Sequence, residues 1–250
     1  MIEFDPATAT PSLEVVYGSR LYGTNQEDSD YDSVGFVVPP KKYRLGLYNS
    51  KGARFRFKTR ELQDKENNFD RTLHDAEKFI HLLVRGNTIG LEAVFAAVSS
   101  KNVIHLNSFG RLIVQHREAF LSKQLHAPFH GYAVSERRKA FGETTGKLGA
   151  VRKDALEKHG YSPKNAYHCV RLLDEARSLL CDGTICFPFD QRSIDFYRSI
   201  RDAVLPASEV DEVIEDRLAQ LDKALSITHL PDFPNYDIAN MLLFKLYDLP

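Results

Sequence analysis

The sequence predicts an α+β protein: a small mixed-sheet domain over residues 1–105, followed by a mostly helical domain over residues 106–250. Three observations carry that expectation. Short β-branched and aromatic runs, punctuated by turn residues, occupy the first third. The hydrophobic period then changes from two to 3.6 at about Asp75. Beyond about Asn107 the apolar residues recur at helical spacing, with no internal repeat, low-complexity tract or long linker. An active site between the two domains is the expectation that goes with this division.

Leu13–Tyr17 is the first strand, and Val15, Val16 and Tyr17 lead into Gly18-Ser19, where a strand gives way to a helix. Ser29–Val38 is the second, stopped by Pro39-Pro40; Val34, Phe36, Val37 and Val38 fit burial on much of both faces. Lys41–Tyr48 reads as a loop, and Arg54–Lys58 as a half-exposed strand with its basic residues on one face. Glu61, Asp64 and Glu66 fall in a polar loop. Asn67-Asn68 then marks a turn before the short strand Phe69–Leu73. Asp75 caps a helix whose buried stripe is Ala76, Phe79, Ile80, Leu83 and Val84. Gly86-Asn87 ends it, and Leu91–Val98 forms another. Further helices are expected at Ser108–Ser122, Gly131–Gly142, Ser162–Asp182, Gln191–Val204 and Ser208–Leu225. In the third of these Ser162 stands at the N-cap and Pro163 at the first helical position. A short strand is expected around Ile185, closed by Pro188.

The residues that point to chemistry come early. Glycine at position 18 lets the backbone approach an anion closely, and free N–H groups at a helix start attract phosphate. Asp30 and Asp32 are two apart, so in an extended segment both project from one face. Two hard oxygen ligands on one face suit Mg2+ bridged to a substrate's phosphates.

Gly18-Ser19, a second glycine at Gly23, and then Asp30-x-Asp32 resemble the signature of the DNA polymerase beta-like nucleotidyltransferase superfamily. The resemblance extends to a bacterial and phage branch of predicted nucleotidyltransferases, some associated with RNA-repair ligases. It continues through Lys78-Phe79, Gly86-Asn87, Leu91-Glu92, Gly131-Tyr132 and the run Lys164 to Leu173. It implies that the first domain is a nucleotidyltransferase domain and the helical one binds substrate or nucleotide. It further implies that Gly18, Ser19 and Arg20 hold the triphosphate, and that Asp30, Asp32 and a third carboxylate bind two Mg2+ (or Mn2+) ions. Asp70 is the candidate third ligand, sharing one face of its strand with Thr72 and His74; the other reading makes it a turn residue after Asn67-Asn68. The activity implied is transfer of an NMP from an NTP to an RNA end. A small-molecule or protein hydroxyl is the alternative acceptor, and an inactive nucleotide-binding regulator the alternative outside catalysis.

In the helical half Lys164, His168, Arg171 and Glu175 follow spacings of four, three and four, which stack them on one stripe opposite Ala166, Val170, Leu173 and Leu180. They match the branch's Lys-x-x-x-His-x-x-Arg run, which makes Lys164, His168 and Arg171 candidates for binding a phosphate. The other reading is a solvated face on which Glu175 neutralises Arg171. Arg137, Arg138, Lys139, Lys147, Arg152 and Lys153 form a looser basic region, either a nucleic-acid track or a charged surface.

Composition sets bounds. A net charge of −1 gives no global basic field to draw in nucleic acid. Cys169, Cys181 and Cys186 show no CxxC spacing and leave an odd one out, which predicts free thiols in a reducing compartment. No apolar run approaches membrane-spanning length, and residues 1–20 lack a basic start and apolar core. A cytoplasmic protein without membrane partners is the expectation.

Overall fold

The computed structural model describes residues 9–27, 29–41, 59–64, 68–143 and 149–248. The expected strand Arg54–Lys58, nearly all of the Lys41–Tyr48 loop, Glu66 and Lys147 lie outside the described residues. The α+β architecture is as expected, with a small mixed sheet and an otherwise helical chain. Its contacts define two compact units.

The first unit comprises residues 1–120, 186–188 and 234–250. Its strands are β1 (Leu13–Tyr17), β2 (Tyr31–Val37), β3 (Thr59–Asp64), β4 (Phe69–Asp75) and β5 (Val103–Leu106), in the order β3-β4-β2-β1-β5. The β2–β4 pair is parallel and the others antiparallel. On one face Leu13 and Val15 lie opposite Phe36 and Val34, all buried, and Phe36 stacks on Phe79 of helix α2 (Ala76–Val84) with ring centroids 4.8 Å apart. Asp75 starts that helix as expected: its Oδ1 accepts from Glu77 N at 2.8 Å and Lys78 N at 3.4 Å. On the opposite face buried Glu14 accepts from Ser33 Oγ and from Arg71 Nε, both at 2.8 Å, and from Arg71 Nη2 at 2.7 Å. One carboxylate thus ties the three central strands together. Gly35 cannot carry a side chain, because a Cβ there would lie 2.0 Å from the Leu13 carbonyl oxygen.

Helix α3 (Thr88–Ala96) is almost wholly buried, and α4 (Ser108–Gln115) follows β5. The helix Tyr236–Asp248, labelled α10 below, packs against α2 and α4 through a face that includes Ala239, Leu242 and Leu246. Thr59–Asp64 is a strand, so Glu61 and Asp64 sit on a sheet edge and not in the expected loop. No strand forms around Ile185. Phe187 is instead buried in the first unit, where its carbonyl accepts from Asn102 Nδ2 at 3.2 Å.

The second unit comprises residues 121–185 and 189–233. It holds α5 (His126–Ala140), α6 (Ala150–His159), α7 (Pro163–Asp182), α8 (Gln191–Arg201) and α9 (Ala207–Ile227). Helix α7 is its axis, packing on α5, α8 and α9 with Ala166, Val170, Leu173, Ala176 and Leu180 buried. Ser162 is at the N-cap as expected, yet its hydroxyl bonds to Asn165 Oδ1 at 2.8 Å and caps no backbone N–H.

Candidate active site

The strand-to-helix turn forms where expected. Gly18 has φ 65°, a left-handed conformation that disfavours any side chain, and opens the single turn α1 (Gly18–Tyr22). Gly23, at φ 79°, closes it. Buried Tyr22 pins the turn: its hydroxyl donates to Glu92 Oε2 at 2.5 Å, and its ring meets Tyr17 and Phe187 at 6.2 and 6.0 Å. Glu92 is fully buried in α3, and the sequence named it only in the Leu91-Glu92 pair, without its partner.

The carboxylates gather at the same end of the sheet. In the β2–β4 register Asp32 lies opposite Asp70, and in the β1–β2 register it lies opposite Tyr17, the residue before Gly18. Neighbouring strands are about 4.8 Å apart, so Asp32 and Asp70 share one face as adjacent rungs. Gly18 is packed directly on Asp32: a Cβ at position 18 would lie 2.3 Å from Asp32 Oδ2. Asp30 precedes the strand and is exposed, Asp32 is half-buried, and Asp70 is exposed. Asp30 therefore lies outside the strand that was expected to carry both aspartates. The side chain of Arg20 turns to the backbone, donating from Nη2 to Ser29 O at 2.8 Å and from Nε to Asp30 O at 3.3 Å.

Three carboxylates beside a glycine turn are the hard-oxygen donor set that Mg2+ or Mn2+ requires. Among the described residues no three His, Cys, Asp or Glu side chains are already clustered closely enough to hold a metal ion. Register supplies the Asp32–Asp70 pair, and the donor chemistry fits, but the trio is not drawn into a finished cage.

In the helical unit the expected stripe divides. Lys164 is exposed in the first turn of α7, whereas Arg171 and Glu175 are buried at 4% and 1% exposure and paired Nη1 to Oε1 at 2.6 Å. Glu175 pairs with Arg171, as the solvated-face reading held, but the pair is buried and the face there is not solvated. Between them the His168 ring lies 5.1 Å from that of Tyr167. Burial first, then the charges of Arg171, Lys164, Arg201 and Lys139, push its pKa down to about 3. The basic region is largely matched by acids. Arg137 meets Asp211 at 2.8 Å and Glu215 at 2.7 Å, Lys139 meets Glu136 at 2.6 Å, and Lys153 meets Glu157 at 3.7 Å. All three cysteines are free thiols, as expected, and burial pushes Cys169 up to about 12. Among the described residues no single helix is long and apolar enough to cross a membrane.

A family model described as the RNA repair pathway DNA polymerase beta family matches residues 11–233. A crystal structure of a nucleotidyltransferase-like protein from Exiguobacterium sibiricum aligns over 96% of this chain and 75% of that one, at 11% identity and a TM-score of 0.29. No curated protein matches the sequence.

Proposed function

The chain belongs to the RNA repair pathway DNA polymerase beta family, and on that premise we propose that it transfers an NMP from an NTP to an RNA end, releasing pyrophosphate. The observation that carries this reading is the register that sets Asp32 beside Asp70, with Gly18 packed on Asp32. Asp30, Asp32 and Asp70 hold Mg2+ or Mn2+. When bound, the ions neutralise the triphosphate and lower the pKa of the acceptor hydroxyl. Asp70, exposed at the start of β4, accepts that hydroxyl's proton. The Ser19 hydroxyl and the backbone of Gly18–Arg20 orient the phosphates, and positioning accounts for most of the catalysis. The Lys164–His168–Arg171 stripe supplies a phosphate contact in the helical unit. Lys164 is its exposed member, while Arg171 engages Glu175.

Incubation with each labelled NTP, Mg2+ or Mn2+ and a tRNA pool tests the reading. Label should enter RNA with wild-type protein and not with Asp32→Ala. Equal labelling by the two proteins would refute it. A small-molecule or protein hydroxyl is the second reading, favoured by the net charge of −1 and by the acids that neutralise Arg137, Lys139 and Lys153. The two separate by salt: RNA binding should weaken steeply as counterion release is suppressed.

A further inference from the structure

Asp30 lies one residue before the β2–β4 ladder begins at Tyr31, so no strand pairing holds it. Arg20 compensates. One guanidinium spans the Ser29 and Asp30 carbonyls, at 2.8 and 3.3 Å, and its Cζ lies 5.4 Å from the centroid of the Tyr31 ring. Tyr31 packs in turn on Phe69, its register partner, with centroids 5.9 Å apart, and its amide donates to Asn68 O at 2.8 Å. The Tyr31–Phe69 rung stands immediately before the Asp32–Asp70 rung.

We propose that Arg20 is a positioning residue for the metal site: it fixes the Ser29–Asp30 backbone and the Tyr31–Phe69 rung, and so sets the spacing of Asp30, Asp32 and Asp70. This rests on the metal-dependent reading of the same site. A guanidinium suits the task because its planar fork reaches two acceptors while its face covers a ring; an ammonium offers a point charge without that geometry. Its direct contacts are to carbonyls and a ring, so Arg20 acts on the cation through the carboxylates that bind it. Residues that orient metal ligands typically alter metal affinity about 10- to 100-fold when replaced.

The test compares wild type, Arg20→Ala, Arg20→Lys and Asp32→Ala by Mn2+ titration with electron paramagnetic resonance. Labelled ATP binding in chelator and amide exchange at Ser29 and Tyr31 are followed in parallel. Both Arg20 variants should bind Mn2+ about tenfold more weakly and exchange faster at those amides. ATP binding in chelator should fall less than Mn2+ affinity does, since the side-chain contacts are to the Ser29 and Asp30 carbonyls and the Tyr31 ring. Weaker metal-free ATP binding with normal Mn2+ affinity would make Arg20 a phosphate ligand and overturn the proposal. Normal Mn2+ affinity in both Arg20 variants, with loss in Asp32→Ala, would overturn it alone. Normal affinity in Asp32→Ala as well would overturn the metal site with it. Should Arg20→Ala fail to fold, Arg20→Lys carries the same comparison, because it keeps the charge and loses the fork.

Discussion

Asp32 in the sheet unit and Arg171 in the helical unit are both charged residues picked out by spacing, and their surroundings differ in kind. Asp32 is half-buried and faces another carboxylate across the parallel ladder, with the Gly18 backbone packed on its oxygen. Two like charges held as neighbours cost stability unless a cation joins them. Arg171 is buried against an opposite charge one helical turn away, paired at 2.6 Å. The first grouping is assembled from several elements and brings like charges together. The second sets two opposite charges on one helix.

Substitution separates Asp32 from Arg171. Asp32→Ala should lower nucleotidyl transfer at least about a thousandfold, since losing a metal clamp costs several kcal/mol of transition-state stabilisation. Its thermal midpoint should hold or rise; a large fall would make Asp32 structural. Arg171→Ala should do the reverse, destabilising by about 3–5 kcal/mol in denaturant titration because buried Glu175 loses the charge it pairs with. Replacing both partners with Met and Leu should recover most of that loss, and failure to recover would assign Arg171 a role beyond the pair.

Gly18→Ala tests the contact between turn and carboxylate. A left-handed φ costs a non-glycine residue about 1–2 kcal/mol, measurable as a shift in unfolding midpoint. The displaced Asp32 should cost more in rate, on the order of a hundredfold.

A finer contrast lies in two neutral histidines. Burial, reinforced by Lys78, holds His74 of the sheet unit down to about 4; burial and a ring of cations hold His168 down to about 3. Below the ordinary value of 6.5 the unfolded chain takes up a proton that the folded form refuses. Stability therefore falls with pH, by at most about 1.4 kcal/mol per unit and per group. The loss should stop near pH 4 for His74 and continue to about pH 3 for His168. Thermal midpoints of His168→Gln and His74→Gln across pH 7 to 3 check the sign and the windows.

The smallest effect expected separates the two helix starts. Asp75→Ala removes a side chain that accepts two backbone N–H groups and should cost about 1 kcal/mol. Ser162→Ala should cost less than about 0.5 kcal/mol, because its hydroxyl serves Asn165 and caps nothing. Equal losses in chemical denaturation would contradict the distinction.

Local chemistry was legible wherever it was strong. Leu13–Tyr17, the Gly18 turn and the Asp75 cap follow from the sequence because each is decided by a few adjacent residues. Thr59–Asp64 was not, since among the described residues it pairs on one side alone, and such a strand needs little apolar content. Helix α6 buries no residue and so shows no stripe to read. The pairing of Asp32 with Asp70 is a matter of register, while the partners of Glu14 and Glu92 stand 57 and 70 residues away along the chain. Spacing speaks for one element at a time. It marked Lys164, His168, Arg171 and Glu175 as a stripe and could not say that its end is buried.

Helix α10 has a consequence for biosynthesis. The helical unit draws its last residues from around position 233, whereas the sheet unit also takes residues 234–250, whose Leu242 and Leu246 are fully or almost fully buried. On the ribosome the later-starting unit is therefore complete before the sheet unit, while the aspartate-bearing sheet waits, with part of its core uncovered, for α10 to emerge. A nascent chain stalled before that helix would carry Asp30, Asp32 and Asp70 without a finished scaffold, and truncation there should yield a chaperone client.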